Sequence, residues 1–290
     1  MSRKRRLEAV DVETVDAVGG GSLYDFLPPP DPKKEARLAA AAEAKAEPPL
    51  PPEDKTRVIF LDIDGVMLPA GYTERVMVDG ELVPVLPNVQ DPGFSPIALS
   101  ALRTVFQQTG ASVVLSSEWR RTEDLRNAVG MALRTRGLPQ PRGCTTQALK
   151  PRPECLEAHE VIAFAERRAR EIGDWLRQHP EVSSWVVLDD VNFTWADGVR
   201  ARGTPLIRHR SVRTDAQTCL NEKDARQAID ILRSPPVLTD EQEKGLERRA
   251  RRKLEAAFPS LRPGAARPAP AANEGAMPPK PPPRRPGAPA

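Results

Sequence analysis

Val58-Ile-Phe-Leu-Asp-Ile-Asp-Gly-Val66 is the stretch on which the fold turns. Its first half, with Arg57 ahead of it, is a short apolar, β-rich run without polar alternation. A strand with one wet face alternates. One covered on both faces does not, and that is the pattern of a central strand in a parallel sheet. Ala111-Ser-Val-Val-Leu-Ser116 and Trp185-Val-Val-Leu-Asp-Asp190 read the same way.

Helical patterns lie between these runs. Ser95–Thr109 places Leu99, Leu102, Val105 and Phe106 on one face before Gly110 ends it. A second helix is expected over Thr122–Arg136, and a short strand over Cys144–Leu149. After Pro151 and Pro153, one continuous helix is expected through Leu156–His179, with Ile172, Trp175 and Leu176 on its buried side. Pro205–Ile207 reads as an edge strand, and Glu222–Leu232 as the closing helix. Strands alternating with helices give an α/β fold, a three-layer open parallel sheet of Rossmann-like form whose ligands sit at the carboxyl ends of the strands.

Composition sets the limits. Of 32 prolines, eight fall in residues 28–52 and eleven in 259–290, too little apolar pattern to offset the entropy of ordering either stretch. The expected layout is a disordered arm at 1–56, one domain at 57–235, an accessory helix at 236–258 and a disordered Pro-rich tail at 259–290. Thr239 and Gln242 form a capping box for the accessory helix, and Leu246, Ala250 and Leu254 its thin apolar stripe. Residues 69–95 read as a small flap insert, with Asp79-Gly80 turning a hairpin.

A net charge of +3, from 43 basic and 40 acidic residues, makes no case for a dedicated nucleic-acid or acid-seeking binder. Cys144, Cys155 and Cys219 have no metal-ligand spacing, and His159, His179 and His209 form no cluster. No apolar run reaches membrane length. A cytoplasmic protein is expected, with Arg3-Lys-Arg-Arg6 leaving nuclear import open.

Three strand ends carry reactive groups: Asp62 and Asp64, then Ser116, then Asp189 and Asp190. Four carboxylates at one sheet edge repel one another unless a cation neutralises them. Oxygen ligands without Cys or His suit a hard ion, and Mg²⁺ is the expected cofactor, held by Asp62, Asp64, Asp189 and Asp190.

Leu61-Asp-Ile-Asp-Gly-Val66, Val113-Val-Leu-Ser-Ser-Glu-Trp-Arg120 and Trp185-Val-Val-Leu-Asp-Asp190 resemble motifs I, II and IV of the haloacid dehalogenase (HAD) superfamily. The Ser-Ser-x-Trp-Arg form, with Arg168-Ala-Arg-Glu-Ile-Gly-Asp-Trp-Leu176 and Val212-Arg-Thr-Asp215, resembles the branch found in Swiss Army knife RNA-repair proteins. The resemblance covers about residues 57–233.

It implies a Mg²⁺-dependent phosphatase in which Asp62 attacks phosphorus, Asp64 serves as acid and base, and Ser116 binds the phosphoryl group. It also implies Mg²⁺ held by Asp62, the Asp64 carbonyl rather than its carboxylate, and Asp189 or Asp190. The basic residue of the third motif falls to Arg168 or to Lys150. Ser117 divides between substrate contact and helix N-cap, and Arg120 between phosphate contact and structural pairing. Trp119 is expected in the core. A small flap suits bulky substrates, such as a nucleic-acid terminus or a phosphoprotein, and phosphorylated RNA or DNA ends are the leading expectation. A small-metabolite phosphatase and a non-catalytic scaffold recruiting protein partners through Pro278–Pro283 are the alternatives.

Overall fold

The structure is a computed structural model and describes residues 48–78, 81–85, 92–234 and 237–261. The N-terminal arm to residue 47, with its basic cluster, the Asp79-Gly80 turn and the tail from residue 262 onward lie outside the described residues.

Five parallel strands form the central sheet: β1 (Asp54–Leu61), β4 (Ala111–Leu115), β5 (Gly143–Cys144), β6 (Ser184–Asp189) and β7 (Ser211–Arg213). Their order is β5-β4-β1-β6-β7, with β1 in the middle. Every residue of β4 and β6 is buried, which is why neither run alternates.

The period of two reappears as a division of the core. Ile59 and Leu61 of β1 face one layer with Val113, Leu115, Val186 and Leu188. Val58 and Phe60 face the other with Val114, Trp185 and Val187. Helices α1 (Pro96–Thr109), α2 (Glu123–Arg134) and α6 (Glu222–Arg233) cover the first face, and α4 (Glu160–Gln178) the second. Phe60 meets Trp175 of α4 edge to face, with ring centroids 5.4 Å apart. This is the three-layer α/β architecture expected.

The helix ends follow local chemistry. Ser95 caps α1 at the Ala98 amide, and Gly110 ends it in the left-handed region at φ 64°. Thr122 caps α2 at Leu125. Thr239 and Gln242 form the capping box of α7 (Asp240–Ala257), which buries Ala250 and Leu254. Strands β2 (Glu74–Val78) and β3 (Glu81–Val85) pair antiparallel, with Val76 opposite Val83.

Three expectations need correction. The helix over 156–179 is two helices, α3 (Pro153–Ala158) and α4, because His159 is extended (φ −178°, ψ 141°). Its Nδ1 accepts the Val161 amide and so caps α4. Pro205–Ile207 is not a strand: Pro205 has no amide to offer, and the Ile207 and Arg208 amides donate to the Asp197 carboxylate of α5 (Thr194–Gly198) instead. The edge position belongs to β7. The strand at Cys144–Leu149 is only Gly143–Cys144, after which a last bond from the Thr145 amide to the Leu115 carbonyl precedes the chain's departure.

Candidate active site

Two ladder bonds beyond the strand ends fix the reactive positions. The Asp62 amide donates to the Leu188 carbonyl (3.0 Å) and the Ser116 amide to the Leu61 carbonyl (2.9 Å). Asp62 and Ser116 therefore stand side by side, with Asp189 on the other flank, because β1 lies between β4 and β6. This is the point where strand order reverses, and open α/β sheets bind their ligands there.

Carboxylate oxygens of Asp62, Asp189 and Asp190 all lie within 4.8 Å of one another. Arg168, from α4, faces them: its Nη1 is 3.1 Å from Asp62 Oδ1 and 2.7 Å from Asp189 Oδ2. Burial pushes the Asp62 carboxyl up to about 7 against the pull of Arg168, and Asp189 and Asp64 add to the rise. Burial and then Asp62 push Asp190 up to about 6. Asp189 is also raised, by burial first. Burial opposes the Arg168 charge, but Asp189, Asp62 and Glu118 outweigh it and hold the guanidinium protonated. Three carboxylates against one guanidinium leave a surplus negative charge. The all-oxygen donor set fits a hard divalent cation.

The Asp64 carboxylate stands outside the trio and is held by three donors. Thr73 Oγ1 donates to its Oδ1 (2.8 Å), while Arg75 (3.1 Å) and Trp119 Nε1 (3.2 Å) donate to its Oδ2. Thr73 and Arg75 belong to the β2 arm, so the hairpin is tied to the site through this carboxylate. Trp119 is fully buried in the core and also acts as a donor. Gly65 takes φ 79°, and a Cβ there would stand 2.6 Å from Asp190 Oδ2. The Thr214 hydroxyl donates to the Gly65 carbonyl at 2.7 Å and holds that turn from the β7 side.

Ser116 is fully buried, and its Oγ has no hydrogen-bond partner among the described residues. An unsatisfied hydroxyl beside a carboxylate cluster is costly unless a ligand uses it. Ser117 does two things. It caps the 3₁₀ turn Glu118–Arg120 at the Trp119 amide, and its side chain hydrogen-bonds Asp62.

Arg120 is buried beneath this loop. It donates to the carbonyls of Ser116 (3.1 Å) and Ser117 (2.7 Å) and pairs with Glu171 at 2.6 Å. Its contacts are internal, and none reaches the trio. Lys150 is exposed, and its carbonyl accepts from Arg170. Of the two basic candidates, the one touching Asp62 is Arg168.

The sequence reading missed several members of the site. Glu171, buried, and Glu118, half-buried, stand among Arg120, Arg167 and Arg168, with Arg167 2.8 Å from Glu118. On α4, Glu166, Arg167, Arg168 and Glu171 are all buried, although the string Glu166-Arg-Arg-Ala-Arg-Glu171 reads as a wet face. Thr73 and Arg75 gave no signal at all. The period of α4 was the one available clue, since Arg168, Glu171, Ile172 and Trp175 share a stripe.

A Rossmann-like sheet with a buried aspartate trio at its switch point defines a hydrolase-type α/β domain of the HAD class. Residues 58–225, more than half of the chain, match the model of the family described as the HAD domain in Swiss Army Knife RNA repair proteins. The chain belongs to that family. No curated protein and no solved structure matches it. Among the described residues, no helix is long and apolar enough to cross a membrane.

Proposed function

We propose that the chain is a phosphomonoesterase acting on phosphorylated nucleic-acid ends, with Asp62 as nucleophile. The observation carrying this reading is the buried Asp62–Asp189–Asp190 trio facing Arg168, next to the unsatisfied Ser116 hydroxyl. The family's description supports a phosphorylated nucleic-acid substrate.

In the first step an Asp62 oxygen forms a bond to phosphorus while the ester P–O bond breaks, and Asp64 gives its proton to the leaving oxygen. In the second, Asp64 takes a proton from water, the water oxygen bonds phosphorus, and the Asp62 acyl phosphate breaks to release inorganic phosphate. Ser116 donates to a phosphoryl oxygen, which satisfies its buried hydroxyl. Arg168 orients Asp62 and offsets charge, in the place that a lysine holds elsewhere in the superfamily. Asp62, Asp189, Asp190 and the Asp64 carbonyl would hold Mg²⁺, whose charge neutralises the phosphoryl oxygens when bound.

A substrate panel tests the proposal: end-labelled RNA and DNA carrying 5′- or 3′-phosphates against small phosphorylated metabolites, with and without Mg²⁺. Metal-dependent release of phosphate from the nucleic-acid ends, absent in Asp62→Asn, is expected. Preference for the metabolites refutes the substrate, and no turnover of any phosphomonoester refutes the activity.

A further inference from the structure

Beside the aspartate trio lies an open groove of about 600 Å³, within the size range of small-molecule sites. Asp190 of the trio belongs to its lining, together with Glu160, Val161, Phe164, Asn192, Trp195 and Arg213. Phe164 and Trp195 are half-buried rings contributed by two different helices, α4 and α5.

Each ring is braced from behind. The Arg168 guanidinium lies over the Phe164 ring at 4.6 Å, so the residue that contacts Asp62 also supports this wall. Trp195 meets Phe258 edge to face, with centroids 5.5 Å apart. Besides the Glu160 and Asp190 carboxyl groups, two hydrogen-bond donors line the groove. The Asn192 carboxamide oxygen accepts the Thr194 amide at 3.1 Å, which leaves its NH₂ as a donor. Arg213 Nε donates to the Asp190 carbonyl at 2.9 Å, which holds the guanidinium at the rim next to the trio.

We infer that this groove is a nucleobase subsite: it stacks the base of the terminal nucleotide on Phe164 and Trp195 while the phosphate lies at Asp62. The inference rests on the phosphomonoesterase reading for where the phosphate sits. Stacking on aromatic rings accepts any base, because every base has a π-face. Asn192 offers one donor to the base edge, and Arg213 one cation to a phosphate or sugar oxygen. An aliphatic metabolite would leave both rings exposed to water. A second ring with a polar edge uses all four groups.

The test measures equilibrium binding to the full chain carrying Asp62→Asn, so that nothing is turned over. The ligands are adenosine 5′- and 3′-monophosphate, ribose 5-phosphate and O-phosphotyrosine. The better adenosine nucleotide should bind roughly tenfold or more tightly than ribose 5-phosphate, the scale of one stacked base. Phe164→Leu and Trp195→Leu should each remove most of that margin, and Trp195→Phe should keep it. Should either leucine variant fail to fold, Val161→Asp, at a half-exposed rim position (48 % exposed), tests the same margin.

Equal affinity for nucleotide and ribose phosphate, or a margin that survives the variants, overturns the subsite. So does O-phosphotyrosine binding as tightly as the nucleotide, which would make the groove a general aromatic site. The two failures are separable. A nucleotide margin without any phosphatase turnover sinks the activity and keeps the subsite, whereas turnover without a margin does the reverse.

Discussion

Arg168 and Asp189 form a fully buried ion pair at 2.7 Å, and the same guanidinium nitrogen reaches Asp62 at 3.1 Å. One helix residue thus holds together the ends of two adjacent strands. Removing a partner from a buried pair strands the remaining charge, and here three carboxylates would be stranded at once. Arg168→Met should lower unfolding stability by about 3–5 kcal/mol, measured by urea denaturation without divalent ions. Added Mg²⁺ should recover part of the loss. A loss under about 1 kcal/mol would show that the guanidinium does not hold the site.

Lys150 gives the contrast. It is exposed, and among the described residues its carbonyl accepts from Arg170 while it makes no contact with the trio. Lys150→Ala should change stability by less than about 0.5 kcal/mol and leave kcat/KM unaltered. A tenfold fall in kcat would return the third-motif role to this lysine.

Asp62→Asn should abolish turnover, by about 10³-fold or more as for other lost nucleophiles. Its melting temperature should equal or exceed that of the parent when divalent ions are absent. The reason is that Asp62 sits among like charges and its carboxyl is pushed up to about 7. Residual activity within tenfold would disqualify Asp62 as nucleophile.

The raised carboxyls also set a pH dependence. Asp62 titrates at about 7 and Asp190 at about 6 in the folded chain, against 3.8 when unperturbed. Between pH 3.8 and 7 the folded chain binds more protons than the unfolded one, so ion-free stability should fall as pH rises through that window. Mg²⁺ must displace those protons. Its apparent affinity should therefore be weaker at pH 6 than at pH 8, with proton release detectable by calorimetry in buffers of different ionisation enthalpy. Equal affinity at both values would contradict the assignment.

Asp64 is tethered by Thr73, Arg75 and Trp119. Arg75→Ala removes the charged tether, whose arginine is largely exposed, and should cost little stability. Its effect should appear as a change of about two- to tenfold in kcat, largest for substrates with poor leaving groups that depend on general acid help. An effect confined to KM would assign the hairpin to binding alone.

The strand ends were readable because a parallel central strand has no alternation, so the apolar run stops where the chemistry starts. Asp62, Asp189 and Asp190 are legible for that reason, while the resemblance to a known family left the basic partner between Arg168 and Lys150. The support beneath them was not legible. Arg120 and Glu171 meet at 2.6 Å from positions 51 residues apart, and nothing local links them. A helix string such as Arg167-Arg168-Ala-Arg-Glu171 looks solvated until its partners are known. The break at His159 escaped notice because one extended residue barely disturbs a helical apolar period. Pro205–Ile207 misled because its apolar content serves packing, while its amides go to Asp197.

The brace behind Trp195 is Phe258, which lies 33 residues beyond the last position matched by the family, residue 225. Leu254 of α7, just ahead of Phe258, packs so closely that a Cβ on Gly198 would stand 3.0 Å from it. The matched segment holds the aspartates and Arg168, whereas most of α6, with core residues Ala228, Ile229 and Leu232, and the backing of one groove wall lie beyond it. The inherited segment and the working unit therefore have different ends. A substitution in the C-terminal segment would reach the proposed base wall through Phe258 without touching the aspartate trio.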